Sequence, residues 1–301
     1  CALLYFAPVK LAKKKVIARL IFPFKDVDFD NSFFKKFVLM SDEAKQSRTF
    51  SIGGEFIVSR MGFGAMRLTG QPGNFGPYAE WEEGKALLWR AVELGIRFFD
   101  SAYAYGPEWA DKLIADALHP YPEGLFVATK GGVDKPAPGQ IVVDGSPKTL
   151  LRQVETALRN LKTDCIDLFQ LHRVDPQVPL EESIGALDVA RCEGKIRFIG
   201  LSNVNRDELD KALTVASIAT VQNRYNQAER DDGAMVDYTN EKGIAYLPWG
   251  PLGAQPMEPG ANLPARESLA WLLGHSSNII VIPGTTSTLH LEENVSAWDF
   301  A

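Results

Sequence analysis

Short apolar runs alternate with amphipathic helical stretches along most of the chain. Three segments repeat one pattern, in which a helical stretch ends at a glycine and a β-rich apolar run follows at once: residues 91–100, 191–200 and 240–249. Glycine is common just after a helix because it adopts the left-handed conformation there without steric cost. Near-continuous apolar runs are typical of strands buried on both faces of a parallel sheet. The pattern therefore predicts helices that lead directly into parallel strands.

The remaining elements follow the same alternation. Further strands are predicted at residues 60–64, 125–130, 165–172, 218–223 and 278–283. Helices are predicted at residues 81–94, 108–118, 147–161, 181–193, 206–216, 233–242 and 265–274, the third with Ser146 as its N-cap and Pro147 at its first position. Eight strands that alternate with helices predict an α/β fold of the (β/α)8, or TIM, barrel type. We also expect a β-hairpin over residues 49–58, turning at Gly53 and Gly54, and a truncated last helix because the chain ends at Ala301.

Residues 1–39 differ in charge from the rest of the chain. They hold eight Lys or Arg and three Asp, a net charge of +5. Met40 begins a stretch that resembles an ordinary translational start. We therefore expect residues 1–39 to be an extension outside the fold and residues 40–301 to form one barrel domain. An organelle-targeting or membrane-surface arm is the alternative, since basic and aromatic residues favour anionic surfaces.

The composition and net charge of the chain argue against several classes of protein. The net charge of −6 and pI near 5.4 argue against a nucleic-acid-binding protein, which needs a strongly basic surface. Three widely spaced cysteines fit a reducing cytoplasm and give no metal-ligand spacing. No apolar run approaches the roughly 20 residues that cross a bilayer. The sequence thus predicts a cytoplasmic, monomeric protein with no metal site and no stable membrane association.

Reactive side chains fall at the carboxyl ends of consecutive predicted strands, where barrel enzymes place their active sites. They are Asp100 with Tyr105, Lys130 and His172. A lysine ammonium lowers the pKa of a neighbouring phenol, an aspartate holds that lysine, and a histidine orients a substrate oxygen. Such a set donates a proton to a carbonyl undergoing reduction, and the hydride must come from a cofactor. Tyr103 is the competing phenol, two residues earlier than Tyr105.

These motifs resemble the aldo-keto reductase family from about residue 48 to the end. The family's Asp-x-x-x-x-Tyr motif is matched by Asp100 and Tyr105, its lysine by Lys130 and its histidine by His172. Within the family, the chain most resembles a bacterial pyridoxal-reductase-like branch. The segments that carry this likeness are residues 62–67, 222–226 and 284–287.

The resemblance implies reduction of a small aldehyde or ketone with NADPH, without excluding NADH. It also implies that Ser202, Asn203 and Gln222 hold the nicotinamide carboxamide and that Trp249 stacks on the nicotinamide ring. The other cofactor contacts that it implies are Gly250, Leu252, Gly284, Thr285, Thr286, Ser287, His290, Glu293 and Asn294. His290 stands where many family members have an arginine for the 2′-phosphate, and the stretch from Gly253 to Arg266 is shorter than usual.

Other functions remain open at this point. A protein that binds the nicotinamide cofactor as a sensor or accessory subunit, with incidental turnover, fits the same residues. A degraded gene product is a further alternative. A dinucleotide fingerprint at Gly62 and Gly64 is rejected, because no third glycine opens a helix after that strand. A metal-dependent hydrolase is disfavoured, since the strand ends lack a His and Asp ligand set.

Overall fold

The computed structural model describes residues 48–253 and 263–301. The predicted boundary at residues 39 and 40, and most of the stretch 253–266, lie outside the described residues. Within the described ranges, no helix is long and apolar enough to cross a membrane.

A two-stranded hairpin precedes the barrel. Strands β1 (Thr49–Ile52) and β2 (Phe56–Ser59) pair antiparallel. The turn between them uses Gly53 and Gly54, both in the left-handed region at φ 61° and 75°. Phe56 packs on Phe126 with ring centroids 5.0 Å apart. The hairpin thus lies against the amino-terminal end of the barrel strands, which leaves the opposite end open for a site.

Among the described residues, seven parallel strands form the barrel sheet, and a small antiparallel hairpin follows its third strand. The barrel strands are β3 (Phe63–Gly64), β4 (Phe98–Asp100), β5 (Phe126–Gly131), β8 (Ile166–Leu171), β9 (Ile196–Ser202), β10 (Ile218–Gln222) and β11 (Ala245–Tyr246). The small hairpin is β6 (Val133–Asp134) with β7 (Val142–Val143). The barrel strands are hydrogen-bonded in the order β11-β10-β9-β8-β5-β4-β3.

The eighth predicted strand closes the barrel through isolated bridges. Val281 accepts a hydrogen bond from the Gly62 amide at 2.8 Å, and the Ile280 amide donates to Tyr246 at 2.9 Å. This segment therefore joins β3 to β11 without forming a continuous ladder. Strand β11 is shorter than predicted because Pro248 has no amide hydrogen with which to continue the ladder.

In the part of the chain that the structure describes, eight α-helices surround the sheet. They are α1 (Trp81–Glu93), α2 (Trp109–Leu118), α3 (Pro147–Leu161), α4 (Leu180–Cys192), α5 (Arg206–Val215), α6 (Gly233–Glu241), α7 (Ala265–His275) and α8 (Thr288–Ser296). The seven helices predicted with bounds all form, most of them within one residue of those bounds. Helix α3 begins at Pro147 as predicted, because Ser146 accepts a hydrogen bond from the Thr149 amide and Pro147 fits the first helical position.

Side chains alternate across the barrel wall. Outward residues of the strands pack under the helices, and inward residues fill the barrel interior. The inward positions nearest the hairpin are apolar and buried: Phe98, Phe126 and Leu168. Toward the carboxyl ends of the same strands the inward positions become polar and stay buried, at Asp100, Lys130 and Gln170, with Ala128 between Phe126 and Lys130 on β5. An apolar layer therefore supports a polar layer at the carboxyl ends of the strands.

Candidate active site

Four predicted side chains converge at the open end of the barrel, and we call them the catalytic tetrad: Asp100, Tyr105, Lys130 and His172. The Lys130 ammonium is fully buried and lies 2.6 Å from Asp100 Oδ2 and 3.3 Å from the Tyr105 hydroxyl. A third bond goes to the Ser101 carbonyl at 2.8 Å. The rings of Tyr105 and His172 meet edge to face with centroids 6.0 Å apart. The lysine thus links the buried carboxylate to the phenol at the mouth.

Two glutamines, one of which the sequence argument missed, fix the carboxylate. Gln170 and Gln222 each donate a side-chain N–H to Asp100 Oδ1, at 3.2 and 2.9 Å. Gly200 makes room for Gln170, since a Cβ at Gly200 would lie 2.8 Å from Gln170 Cγ. Asp100 therefore accepts three hydrogen bonds and keeps one orientation toward Lys130.

The ionisation of Tyr105 differs from the sequence expectation. Burial raises the pKa of the phenol above its ordinary value, and the opposing effect of Lys130 is smaller. The lysine therefore acts in the predicted direction but does not overcome burial. The phenol keeps its proton at neutral pH and can donate it.

His172 is a neutral imidazole at neutral pH. Burial lowers its pKa well below the ordinary value, and the positive charges of Lys130 and Arg173 act in the same direction. Its Nδ1 atom is buried and has no hydrogen-bond partner among the described residues. The neutral ring can therefore take part in a hydrogen bond with a further group, and it does not act as a charged acid at neutral pH.

Three of the predicted cofactor residues form a connected group, which we call the nicotinamide cradle: Ser202, Asn203 and Trp249. Asn203 Nδ2 donates to Ser202 Oγ at 2.9 Å, and the Trp249 indole donates to Asn203 Oδ1 at 3.1 Å. Ser202 keeps its own O–H, and Asn203 Oδ1 keeps a second lone pair. One donor and one acceptor are what a carboxamide requires, so these residues fit a nicotinamide.

The other predicted cofactor residues lie in three places. Gln222 donates to Asp100, so it belongs at least in part to the polar layer under the tetrad. Gly250 and Leu252 follow Trp249 in the loop after β11, where the Gly250 carbonyl accepts from Asn226 Nδ2 at 3.1 Å. The remaining residues lie in the segment just before α8 or within that helix: Gly284, Thr285, Thr286, Ser287, His290, Glu293 and Asn294.

The amino terminus of α8 fits an anionic group. Ser287 caps the helix by accepting from the His290 amide, and Thr285 Oγ1 accepts from the Ser287 amide at 3.0 Å. Gly284 lets two loops approach closely, since a Cβ there would lie 2.7 Å from the Gly64 carbonyl. A helix amino terminus with hydroxyl side chains beside it is typical of phosphate binding, and Thr286 and His290 are exposed there.

A second buried carboxylate lies outside the barrel wall behind Lys130, and the sequence argument missed it. Asp111 is in the first turn of α2, and both its oxygens accept from Thr129 Oγ1, at 3.1 and 3.2 Å. Burial raises the pKa of Asp111 to about 6 despite hydrogen bonds that favour the charged form. The folded protein therefore holds the Asp111 proton more tightly than the unfolded chain does.

Asp111→Asn is expected to raise stability at neutral pH but not at acidic pH. Ionising a carboxyl whose pKa is higher in the folded state costs stability, so the wild-type protein loses stability as the pH rises from about 4 to about 6. The free energy of unfolding of Asp111→Asn should exceed that of the wild type by at most about 3 kcal/mol at pH 7, because one pKa unit corresponds to about 1.4 kcal/mol. Urea unfolding of both proteins at pH 4 and pH 7 measures it. A difference that is the same at both pH values would contradict this assignment.

Comparison with known proteins places the chain in a family. Residues 60–263 match the model of the Aldo/keto reductase family. An uncharacterized oxidoreductase of Schizosaccharomyces pombe is 39% identical over 272 residues, covering 85% of this chain and 86% of the relative. Pyridoxine 4-dehydrogenase of Escherichia coli is 39% identical over 267 residues, covering 83% and 93%.

A solved structure supports the fold. The glycerol dehydrogenase of Gluconobacter oxydans has a TM-score of 0.73 at 23% identity, covering 83% of this chain and 90% of that one. The predicted family, enzyme class and barrel fold are thereby confirmed. The chain belongs to the aldo/keto reductase family, whose members are NAD(P)H-dependent oxidoreductases.

Proposed function

We propose that this chain reduces the carbonyl group of a small aldehyde or ketone to an alcohol with NADPH, and that Tyr105 is the proton donor. The observation that carries the proposal is the buried Lys130 ammonium, which lies 2.6 Å from Asp100 and 3.3 Å from the Tyr105 hydroxyl. A carboxylate, an ammonium and a protonated phenol in this order form a proton-donating group at the open end of the barrel.

Each member of the tetrad has a separate role in this mechanism. His172, neutral and half-buried, donates a hydrogen bond to the carbonyl oxygen and orients it. Tyr105 donates its proton to the same oxygen as negative charge develops there. Lys130 stabilises the phenolate that remains, and Asp100 holds the Lys130 ammonium in place. NADPH, when bound, supplies the hydride that adds to the carbonyl carbon.

Two groups of residues support the cofactor assignment. The nicotinamide cradle offers a donor and an acceptor for a carboxamide beside the half-buried Trp249. The start of α8 offers backbone amides and exposed hydroxyls for the phosphate groups. His290 supplies less fixed positive charge than an arginine at neutral pH, so we expect a preference for NADPH over NADH that is modest in size.

Multiple-turnover NADPH oxidation with a panel of small aldehydes that includes pyridoxal tests the proposal. We expect saturable oxidation of NADPH that depends on the aldehyde, with one alcohol formed per NADPH consumed. Fluorescence titration with NADPH and NADH gives both dissociation constants. Tight NADPH binding with at most a single turnover would contradict the reductase proposal and favour a cofactor-binding sensor. Absence of NADPH binding would contradict the cofactor assignment itself.

A further inference from the structure

Asn223 is a buried polar residue that the reaction scheme does not use. It follows Gln222 at the carboxyl end of β10, and 7% of it is exposed. Its Oδ1 accepts from the Val204 amide at 3.1 Å, and its Nδ2 donates to the Val204 carbonyl at 2.7 Å. The side-chain amide thus pairs with both backbone groups of the residue directly after Asn203.

The backbone at Asn203 needs such support. Asn203 has a φ of 58°, in the left-handed region that L-residues rarely occupy. Its amide donates to the Gln222 carbonyl at 3.0 Å, so β10 holds Asn203 on one side and Asn223 holds Val204 on the other. The conformation that presents Asn203 to the cradle is therefore fixed by two consecutive residues of a neighbouring strand.

Asn223 also fixes the other half of the nicotinamide cradle. Its backbone carbonyl accepts from the Trp249 amide at 2.9 Å. The Trp249 indole in turn donates to Asn203 Oδ1. One residue therefore sets the positions of both Asn203 and Trp249, although these two lie on different strand ends.

Asp232 orients the Asn223 side chain from behind. Its Oδ2 accepts from Asn223 Nδ2 at 2.9 Å and from the Tyr246 hydroxyl at 2.5 Å. Both hydrogens of Asn223 Nδ2 are then used, one by Val204 and one by Asp232. The side-chain amide of Asn223 satisfies both of its N–H donors in one orientation. In that orientation, Oδ1 faces the backbone amide of Val204.

We propose that Asn223, held by Asp232, is a positioning residue that builds the nicotinamide cradle before the cofactor arrives. This inference rests on the proposed function, because it assigns the cradle to NADPH. Neither side chain needs to touch the cofactor. When the cradle is ordered before NADPH binds, binding does not have to supply the conformational entropy cost of ordering it. Asn223 is therefore expected to increase the affinity for NADPH.

Fluorescence titration with NADPH of four variants tests the proposal. Asn223→Ala should raise the dissociation constant about 10- to 100-fold, with a larger effect on the KM for NADPH than on kcat. Asp232→Ala should raise it by less, about 3- to 10-fold. Asp232→Asn should stay within about threefold of wild type, because its carbonyl oxygen can accept both hydrogen bonds.

Asn278→Ala is the matched control. Asn278 is also buried and its Nδ2 also donates to a backbone carbonyl, that of Ile244 at 2.9 Å, but at the opposite end of the barrel wall. The Asn278→Ala variant should lower the midpoint temperature of thermal unfolding, as Asn223→Ala does, while leaving the affinity for NADPH unchanged.

Three outcomes separate the possibilities. Wild-type protein that binds no NADPH would contradict the proposed function. If the wild-type protein binds NADPH and Asn223→Ala binds it with the same affinity, the positioning role of Asn223 is contradicted and the proposed function is not. Equal loss of affinity in Asn223→Ala and Asn278→Ala would also contradict it, because the effect would then follow from general loss of stability.

Discussion

Replacing Lys130 with methionine is expected to lower both stability and turnover strongly. Methionine keeps much of the side-chain length but leaves the Asp100 carboxylate buried without its cation, 2.6 Å from where the ammonium stood. Removing one partner of a buried ion pair costs about 3–5 kcal/mol. Turnover should fall by about 100-fold or more, because the phenolate of Tyr105 loses its stabilising charge. Urea unfolding and steady-state NADPH oxidation measure the two effects.

Two further variants give this prediction a control. Lys195→Met removes an ion-paired lysine that is half-exposed, 2.7 Å from both Glu155 and Glu193, and should change stability little. Adding Asp100→Asn to the Lys130→Met protein should recover part of the lost stability without restoring turnover, since the stranded charge is then gone. If Lys130→Met had the same urea midpoint of unfolding as the wild type, the ion pair between Lys130 and Asp100 would not stabilise the fold.

The sequence was informative about the fold because each barrel unit repeats the same local signals. A glycine after a helix, an apolar run after the glycine and a polar strand end recur around the barrel. The lengths of the strands could not be predicted from the sequence. The segment 278–283 has the composition of a strand, yet it joins its neighbours only through isolated bridges. Ladder length depends on the register of two partners, which the composition of one segment does not determine.

The tetrad could be predicted because its members stand at strand ends, where topology alone brings them to one rim. The polar layer beneath it could have been found by the same reasoning. Gln170 stands two residues before His172 on one strand, and side chains two apart face the same side. The alternation therefore indicated an inward glutamine under the histidine.

Other residues gave no comparable signal. Asp111 lies in a helix whose other acidic residue, Asp116, is partly exposed, and only packing against Thr129 distinguishes the two. Asn223 acts through backbone groups of Val204, which no side-chain pattern reveals. The pKa of Tyr105 also depends on burial in three dimensions, so the effect of Lys130 on that pKa could be predicted from the sequence and the net direction of the shift could not.

Replacing Tyr105 with phenylalanine is expected to reduce turnover about 10²- to 10⁴-fold, the range for losing a general acid. Phenylalanine keeps the ring and its contact with His172 but removes the hydroxyl that lies 3.3 Å from Lys130. NADPH affinity should change little, because none of the cradle residues is bonded to that hydroxyl. Loss of turnover with retained cofactor binding is thus the expected signature.

Tyr103→Phe is the matched control for this prediction. Tyr103 was the competing phenol in the sequence, and the structure places its hydroxyl 3.3 Å from Arg152 Nη1, in a different pair from the tetrad. Its loss should leave turnover within a few-fold of wild type. A larger loss in Tyr103→Phe than in Tyr105→Phe would reverse the assignment of the proton donor.

The most direct test of the account is the rate of NADPH oxidation by the Tyr105→Phe protein at saturating aldehyde, measured beside its NADPH dissociation constant. We predict a rate at least about 100-fold below wild type with a dissociation constant within about threefold. A wild-type rate would contradict proton donation by Tyr105. An equal loss of rate and of NADPH affinity would contradict the separation of the proton donor from the cofactor cradle.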